Sequence, residues 1–119
     1  MDTAQLKNYV DLNSGLTRMM GNEKLFRQLL NMFLANTKFD AFEASLAAGD
    51  YPGAEAHMHA IKGLSGNLSM PALFSASTAL DDQLKAGHAD AEMLAIYRDA
   101  YVQTKQAVTE LLAAPSLSL

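Results

Sequence analysis

One histidine in the sequence has neighbours whose types and spacing could support chemistry. His59 is preceded by Glu55 and followed by Lys62, Gly63 and Gly66. At 100° per residue, these positions fall on one face of a helix. Free imidazole has a pKa of about 6.5, so a large fraction of it is neutral and nucleophilic near pH 7. The spacing predicts an exposed imidazole with an ammonium group one turn away.

The two glycines are costly inside a helix. Each destabilises a helix by roughly 0.5–1 kcal/mol relative to alanine, a residue that this chain uses 20 times. They lie one and two turns after His59, so they clear the surface on its C-terminal side. A single exposed histidine is usually an ordinary surface residue. The combination of His59, Lys62, Gly63 and Gly66 instead indicates a site that another molecule approaches closely.

The same residues resemble the signature of histidine-containing phosphotransfer (HPt) domains. The segment 59–68, HAIKGLSGNL, is similar to the family pattern H-x-[IL]-K-G-x-[SA]-x-N-[IL]. Phe33 and the LAAGD of 46–50 resemble the F…L-x-x-G-D pattern that precedes the histidine helix. Leu73, Ala76 and the pair Leu80-Asp81 resemble the L, A and L-E residues of the run that follows it, with Asp81 in place of the common Glu. The resemblance covers most of residues 11–86.

The resemblance implies a phosphorelay carrier of two-component signalling rather than an enzyme in its own right. It implies that His59 accepts a phosphoryl group from an aspartyl-phosphate receiver domain and passes it to another receiver. Lys62 would stabilise the charge of the phosphoryl oxygens, and Gly63 and Gly66 would give the receiver access. The implied partners are response-regulator receiver domains and a sensor or hybrid histidine kinase. No cofactor is expected on this chain. Mg²⁺ is expected in the receiver, because the His59 face shows no carboxylate cluster of its own.

A docking surface is predicted around the His59 face. Glu55 lies one turn before His59, where an ordinary surface charge is the simpler interpretation, and Lys85 could approach the phosphoryl group from the following helix. The family's general layout also places apolar residues beside the histidine. Four residues complete the predicted surface: Leu16, Met19, Met20 and Met70.

The sequence contains no second catalytic constellation. His57 lies 200° from His59 on a helix, and the apolar stripe predicts that His57 packs in or near the core with Ile61 and Leu64. The absence of Cys and of an i,i+4 pair of His argues against a zinc site. Adjacent carboxylates such as Asp81 and its neighbour point apart on a helix, so a paired-carboxylate acid/base is not predicted. No metal ligands are predicted on this chain.

The amino-acid composition and the positions of the glycines predict an all-α fold. The sequence has 20 Ala and 18 Leu but only 3 Val and 2 Ile, which favours helix over sheet. Gly21, Gly49 and Gly87 each follow an apolar-periodic stretch and predict helix ends, while Asn22 and Asp50 predict caps for the next helices. The predicted helices cover 3–9, 12–20, 23–48, 51–68, 70–86 and 90–113.

Short links make sequential helices antiparallel neighbours. The prediction is therefore a single HPt-like domain over 1–119, an up-down antiparallel four-helix bundle with a short N-terminal helical cap over 3–20. The apolar stripe changes face near Asn36, which predicts a bend or a change of packing partner there. Ser69 stands where the HPt family usually has Gly, and it is predicted to cap the helix over 70–86. Residues 114–119 are predicted to be frayed.

Charge and hydropathy limit the function classes. With 9 Lys and Arg against 13 Asp and Glu, the net charge is −4, which argues against broad nucleic-acid contact. No apolar run exceeds five residues, and the N-terminus lacks a signal-peptide core, so a cytoplasmic domain without membrane insertion is predicted. The sequence leaves the oligomeric state open, and a monomer is expected because a carrier of this size works as one. Two alternatives stay open: the phosphoacceptor domain of a chemotaxis-type histidine kinase, and a non-catalytic helical interaction module. Retention of both His59 and Lys62 weighs against the second.

Overall fold

The computed structural model describes residues 1–117 and is built from helices. Over these residues it contains no strand, so the predicted all-α class is confirmed. None of the helices in this part of the chain combines the length and hydropathy that a membrane crossing requires. The seven helices are α1 Thr3–Tyr9, α2 Leu12–Arg18, α3 Glu23–Leu34, α4 Lys38–Ala47, α5 Tyr51–Asn67, α6 Pro71–Lys85 and α7 Ala91–Ala113.

From α4 onward, the long helices form a bundle in which chain neighbours pack side by side. Helix α5 lies against α4 and α6, α6 lies against α7, and α3 also contacts α7. Because the links between them are short, the packed neighbours α4 to α7 run antiparallel in sequence. The short helix α1 contacts α6 and α7, and α2 contacts α3. The bundle therefore places α5 and α6 next to each other, with α2 held at one end.

The predicted single helix over 23–48 is wrong, because α3 ends at Leu34 and α4 begins at Lys38. Phe33 and Phe39 would lie about 120° apart around the axis of one straight helix. The break allows both rings to reach Tyr101 on α7, with ring centroids 6.2 and 4.0 Å away. The predicted change of face near Asn36 therefore falls where the helix is interrupted.

Helix α5 begins as predicted but buries a slightly different face. The Asp50 carboxylate caps it, because Oδ1 accepts the N–H of Gly53 at 3.0 Å. His57 and Leu64 are half-buried, and Leu64 packs against the core, which is compatible with the predicted position in or near the core. Met58 is fully buried, and its flexible thioether fills space in the core. The buried residues of α5 are Ala54, Met58, Ile61 and Ser65.

The turn between α5 and α6 corrects two further predictions. Ser69 has φ of +55°, in the left-handed region that glycine adopts most easily, and the N-cap of α6 is Met70 rather than Ser69. The Ser69 hydroxyl instead bonds that of Ser14 at 2.9 Å, and its carbonyl accepts the N–H of Asp11 at 2.8 Å. Met70 is fully buried, so its predicted place on the docking surface is wrong.

The segment after α7 is held against α3. Leu117 is buried, and its N–H donates to Glu23 at 2.8 Å. The Arg27 guanidinium donates to the carbonyl of Ala114, also at 2.8 Å. An apolar anchor and these hydrogen bonds order the segment, so the predicted fraying is wrong for residues 114–117. The rest of that prediction, residues 118–119, lies outside the described residues.

Candidate functional site

His59 is presented on the surface by the middle of α5. Its side chain is 66% exposed, and its Nδ1 lies 3.4 Å from Oδ2 of Asp81 on α6. In a hydrogen bond with a carboxylate, Nδ1–H is the donor, and this bond selects the tautomer whose lone pair is on Nε2. No group of residues 1–117 forms a hydrogen bond with Nε2. The nitrogen with the lone pair is therefore the one that a partner can reach.

Asp81 is a buried carboxylate surrounded by cations. Its side chain has no exposed surface, and Oδ2 lies 3.1 Å from Nζ of Lys85 and 4.0 Å from Nζ of Lys62. Burial raises the pKa of Asp81, but hydrogen bonds, led by the one from Lys85, hold it below the usual value. The hydrogen bond to Asp81 in turn raises the pKa of Lys85. At neutral pH, therefore, a carboxylate faces both the imidazole and the ammonium group.

Glu55 joins this group from one turn before His59. Its Oε1 lies 4.0 Å from Nζ of Lys85, and one ligand atom each from Glu55, His59 and Asp81 lie within 4.8 Å of one another. The expectation that the His59 face has no carboxylate cluster is wrong, because Asp81 reaches it from α6. Two carboxylates and an imidazole could ligate a cation. The Lys85 ammonium, however, already supplies positive charge to Asp81 and Glu55.

A surface depression of about 340 Å³ adjoins His59. Its cationic side chains are Lys62 and Arg18, the latter from the last turn of α2. Both are placed to attract an anionic group toward the imidazole. The remaining lining residues are small, polar or aromatic: Gly63, Gly66, Asn67 and Phe74.

The two glycines of α5 have different surroundings. A Cβ on Gly63 would meet nothing within 4 Å, whereas a Cβ on Gly66 would lie 3.1 Å from the Phe74 ring. Gly66 therefore lets the half-exposed Phe74 pack against α5. No intramolecular contact requires a glycine at position 63, so the missing side chain there leaves space only for a molecule outside the described chain.

Residues 28–114, most of the chain, match the family model of the Hpt domain. The chain belongs to the Hpt domain family. Hpt domains are phosphotransfer carriers of two-component signalling rather than classical enzymes, and they interact with receiver domains and kinases. No curated protein and no solved structure matches the chain. The resemblance drawn from the HAIKGLSGNL segment is thereby confirmed at the level of the family.

The Hpt-matched segment contains His59, Lys62, both α5 glycines, Glu55 and Lys85. The structure brings all of these to the facing surfaces of α5 and α6. Apart from the buried Met70, the remaining predicted docking residues precede the matched segment: Leu16 and Met19 are half-buried against the core, and Met20 is 94% exposed. Of these three residues, Met20 has the surface that a partner could cover.

Sequence reasoning missed two residues of this Hpt site. No role in the site is predicted for Asp81 from the sequence, yet Asp81 falls on the same stripe as Ser77 and Leu84, both of which are buried. A charged residue on a core stripe requires a partner, and that signal was available. Arg18 carries no such signal, because only the packing of α2 on the bundle brings it near His59.

A Gly63→Ala variant of this Hpt domain should fold normally and be more stable by roughly 0.5–1 kcal/mol, because alanine favours the helix and its Cβ meets open space. Its phosphoryl exchange with a receiver should nevertheless slow by up to about tenfold, equivalent to about 1.4 kcal/mol of lost access. Thermal unfolding and transfer rates measure the two effects separately. A stabilised variant with an unchanged transfer rate would show that the receiver does not approach Gly63.

Proposed function

We propose that His59 carries the phosphoryl group of this Hpt domain, accepting it from the aspartyl phosphate of one receiver domain and passing it to another. One observation supports this above all: an exposed imidazole whose Nδ1 is hydrogen-bonded to a buried carboxylate, with Nε2 unpaired. An exposed acceptor suits a reaction in which the donor is held in another protein's active site. The imidazole and both lysines belong to one chain, so a monomer is sufficient.

The transfer step follows from this geometry. The Nε2 lone pair of His59 attacks the phosphorus of the receiver's acyl phosphate, an Nε2–P bond forms, and the P–O bond to the aspartate breaks. The aspartate leaves as a carboxylate. The imidazole keeps its Nδ1 proton and becomes a positively charged phosphoimidazolium, so no base has to remove a proton. Asp81 stabilises this charge through the Nδ1–H bond. Reversal of the same step delivers the group to the next receiver.

Lys62 and the partner receiver would stabilise the negative charge of the phosphoryl oxygens during transfer. The Lys62 side chain is 29% exposed, so its ammonium can move from the edge of Asp81 toward the phosphoryl oxygens, where positive charge lowers the barrier to transfer. Lys85 is held between Asp81 and Glu55 and would keep Asp81 ionised rather than bind the phosphoryl group. The receiver would supply Mg²⁺ in its own acidic pocket.

A transfer experiment with isolated receivers tests the proposal. A receiver domain charged with a small phosphodonor in Mg²⁺ is mixed with this chain, and the chain is examined for phosphate that is labile in acid and stable in base. The proposal predicts label on the chain and its disappearance when a second, uncharged receiver is added. Failure of all receivers from the source organism to donate would overturn it. Label from an ATP-charged kinase domain alone would make the chain a kinase's phosphoacceptor domain.

A further inference from the structure

Arg18 lies beside the site although it precedes the Hpt-matched segment 28–114. It is the last residue of α2 and lines the depression next to His59 together with Lys62. It also borders two other depressions, of about 180 and 490 Å³, along α5. An exposed guanidinium therefore stands where three surface depressions meet.

Arg18 differs from the other two arginines in its side-chain interactions within residues 1–117. Arg27 donates to Glu23 and to the carbonyl of Ala114, and Arg98 binds Glu43 through two nitrogens. Among residues 1–117, Arg18 forms neither an ion pair nor a hydrogen bond through its side chain. Its donors are therefore available to an anion without any existing interaction being broken.

The helix that carries Arg18 is fixed to the bundle. Ser69 binds α2 through the Ser14 hydroxyl at 2.9 Å and the Asp11 N–H at 2.8 Å. Gly15 packs so closely on Phe26 that a Cβ would lie 2.5 Å from the ring. The C-terminus of α2 is closed by a 2.7 Å hydrogen bond from the N–H of Gly21 to the carbonyl of Leu16. These contacts hold the backbone of α2 in a constant position relative to α5.

We propose that Arg18 binds the phosphoryl oxygens of phosphorylated His59, opposite Lys62. The proposal rests on the proposed function of His59. A phosphoryl group carries close to two negative charges near pH 7, and a guanidinium can bind two of its oxygens at once. Lys85 is paired with Asp81 and Glu55, and Lys62 also lies within ion-pair distance of Asp81. Arg18, by contrast, has no carboxylate of residues 1–117 within 4.0 Å to compete with the phosphoryl group.

The phosphorylated chain without any partner tests this contact. Phosphoramidate is used to phosphorylate His59, and ³¹P NMR follows the titration of the phosphoryl group in the wild type, Arg18→Gln, Arg18→Lys and Lys24→Gln. Nearby positive charge favours the dianion. Arg18→Gln should therefore raise the titration midpoint by about 0.5 pH unit, and Arg18→Lys should restore part of the shift. Lys24 is exposed and lines none of the three depressions, so its variant should match the wild type.

The outcomes separate this contact from the proposed function. If wild-type His59 forms no phosphohistidine, both proposals fail. If phosphohistidine forms and Arg18→Gln has the wild-type midpoint, only the Arg18 contact is overturned. If Arg18→Gln has the wild-type midpoint but accepts phosphate from a receiver more slowly, the phosphoryl contact is overturned, and Arg18 instead binds an acidic side chain of the receiver. Equal shifts in Arg18→Gln and Lys24→Gln would also overturn the contact, because they would report net charge alone.

Discussion

A His59→Gln chain should take up no acid-labile phosphate from a donor that labels the wild type, a loss of more than about 10³-fold. Glutamine has a similar size and polarity, but its amide has no nucleophilic nitrogen lone pair. Because the His59 side chain is 66% exposed, the free energy of unfolding should change by no more than about 0.5 kcal/mol. Phosphate incorporation and thermal unfolding are measured on the same preparation.

The two other histidines provide matched controls. His57 is half-buried on another side of α5, and His88 lies 3.8 Å from Asp90, after α6. His57→Gln and His88→Gln should therefore accept phosphate at the wild-type rate. Undiminished label on His59→Gln, together with its loss in either control, would move the phosphorylation site to that histidine.

An Asp81→Asn variant should exchange phosphoryl groups with a receiver about 10- to 100-fold more slowly than the wild type. A neutral amide does not stabilise the phosphoimidazolium, and its NH₂ group can bind the wrong tautomer of His59. Asp82→Asn is the matched control, because it removes the same charge from the exposed neighbouring position. Equal transfer rates for the two variants would contradict the role assigned to Asp81.

The same substitution should change the pH dependence of stability. The pKa of Asp81 is lowered in the folded state, so its ionisation stabilises the fold above the unfolded value of about 3.9. This contribution is lost as the pH falls through the lower, folded-state pKa. At pH 7 the free energy of unfolding of the wild type should exceed that of Asp81→Asn by about 1–2 kcal/mol. Below about pH 4 this difference in stability should shrink. Denaturant unfolding at both pH values measures it. A gap that widens in acid would contradict the stated charge of Asp81.

Local signals in the sequence were sufficient for much of the fold and for the centre of the site. Gly21, Gly49 and Gly87 all have positive φ and end helices as predicted. Asn22 and Asp50 accept the predicted capping hydrogen bonds. These features depend on a few adjacent residues and on the helical period, and the same period predicted that His59 and Lys62 share a face.

Features that depend on the packing of distant segments were not predicted. The interruption after Leu34 allows two phenylalanines to reach Tyr101, and the periodicity indicated only a change of face. The left-handed Ser69 depends on bonds to α2. Asp81 lies 22 residues after His59, so its contact with the imidazole follows from how α6 packs on α5. Single-helix reasoning cannot supply such contacts.

The position of the phosphoryl group on the imidazole distinguishes the proposed site and transfer step from any other. Because Nδ1 is bonded to Asp81, His59 should be phosphorylated on Nε2. Long-range ¹H–¹⁵N NMR of the ¹⁵N-labelled, phosphorylated protein distinguishes the two ring nitrogens. The predicted result is a single phosphohistidine at residue 59 with phosphorus on Nε2 and a protonated Nδ1. Phosphorus on Nδ1, or on His57 or His88, would refute the proposed role of His59 and Asp81.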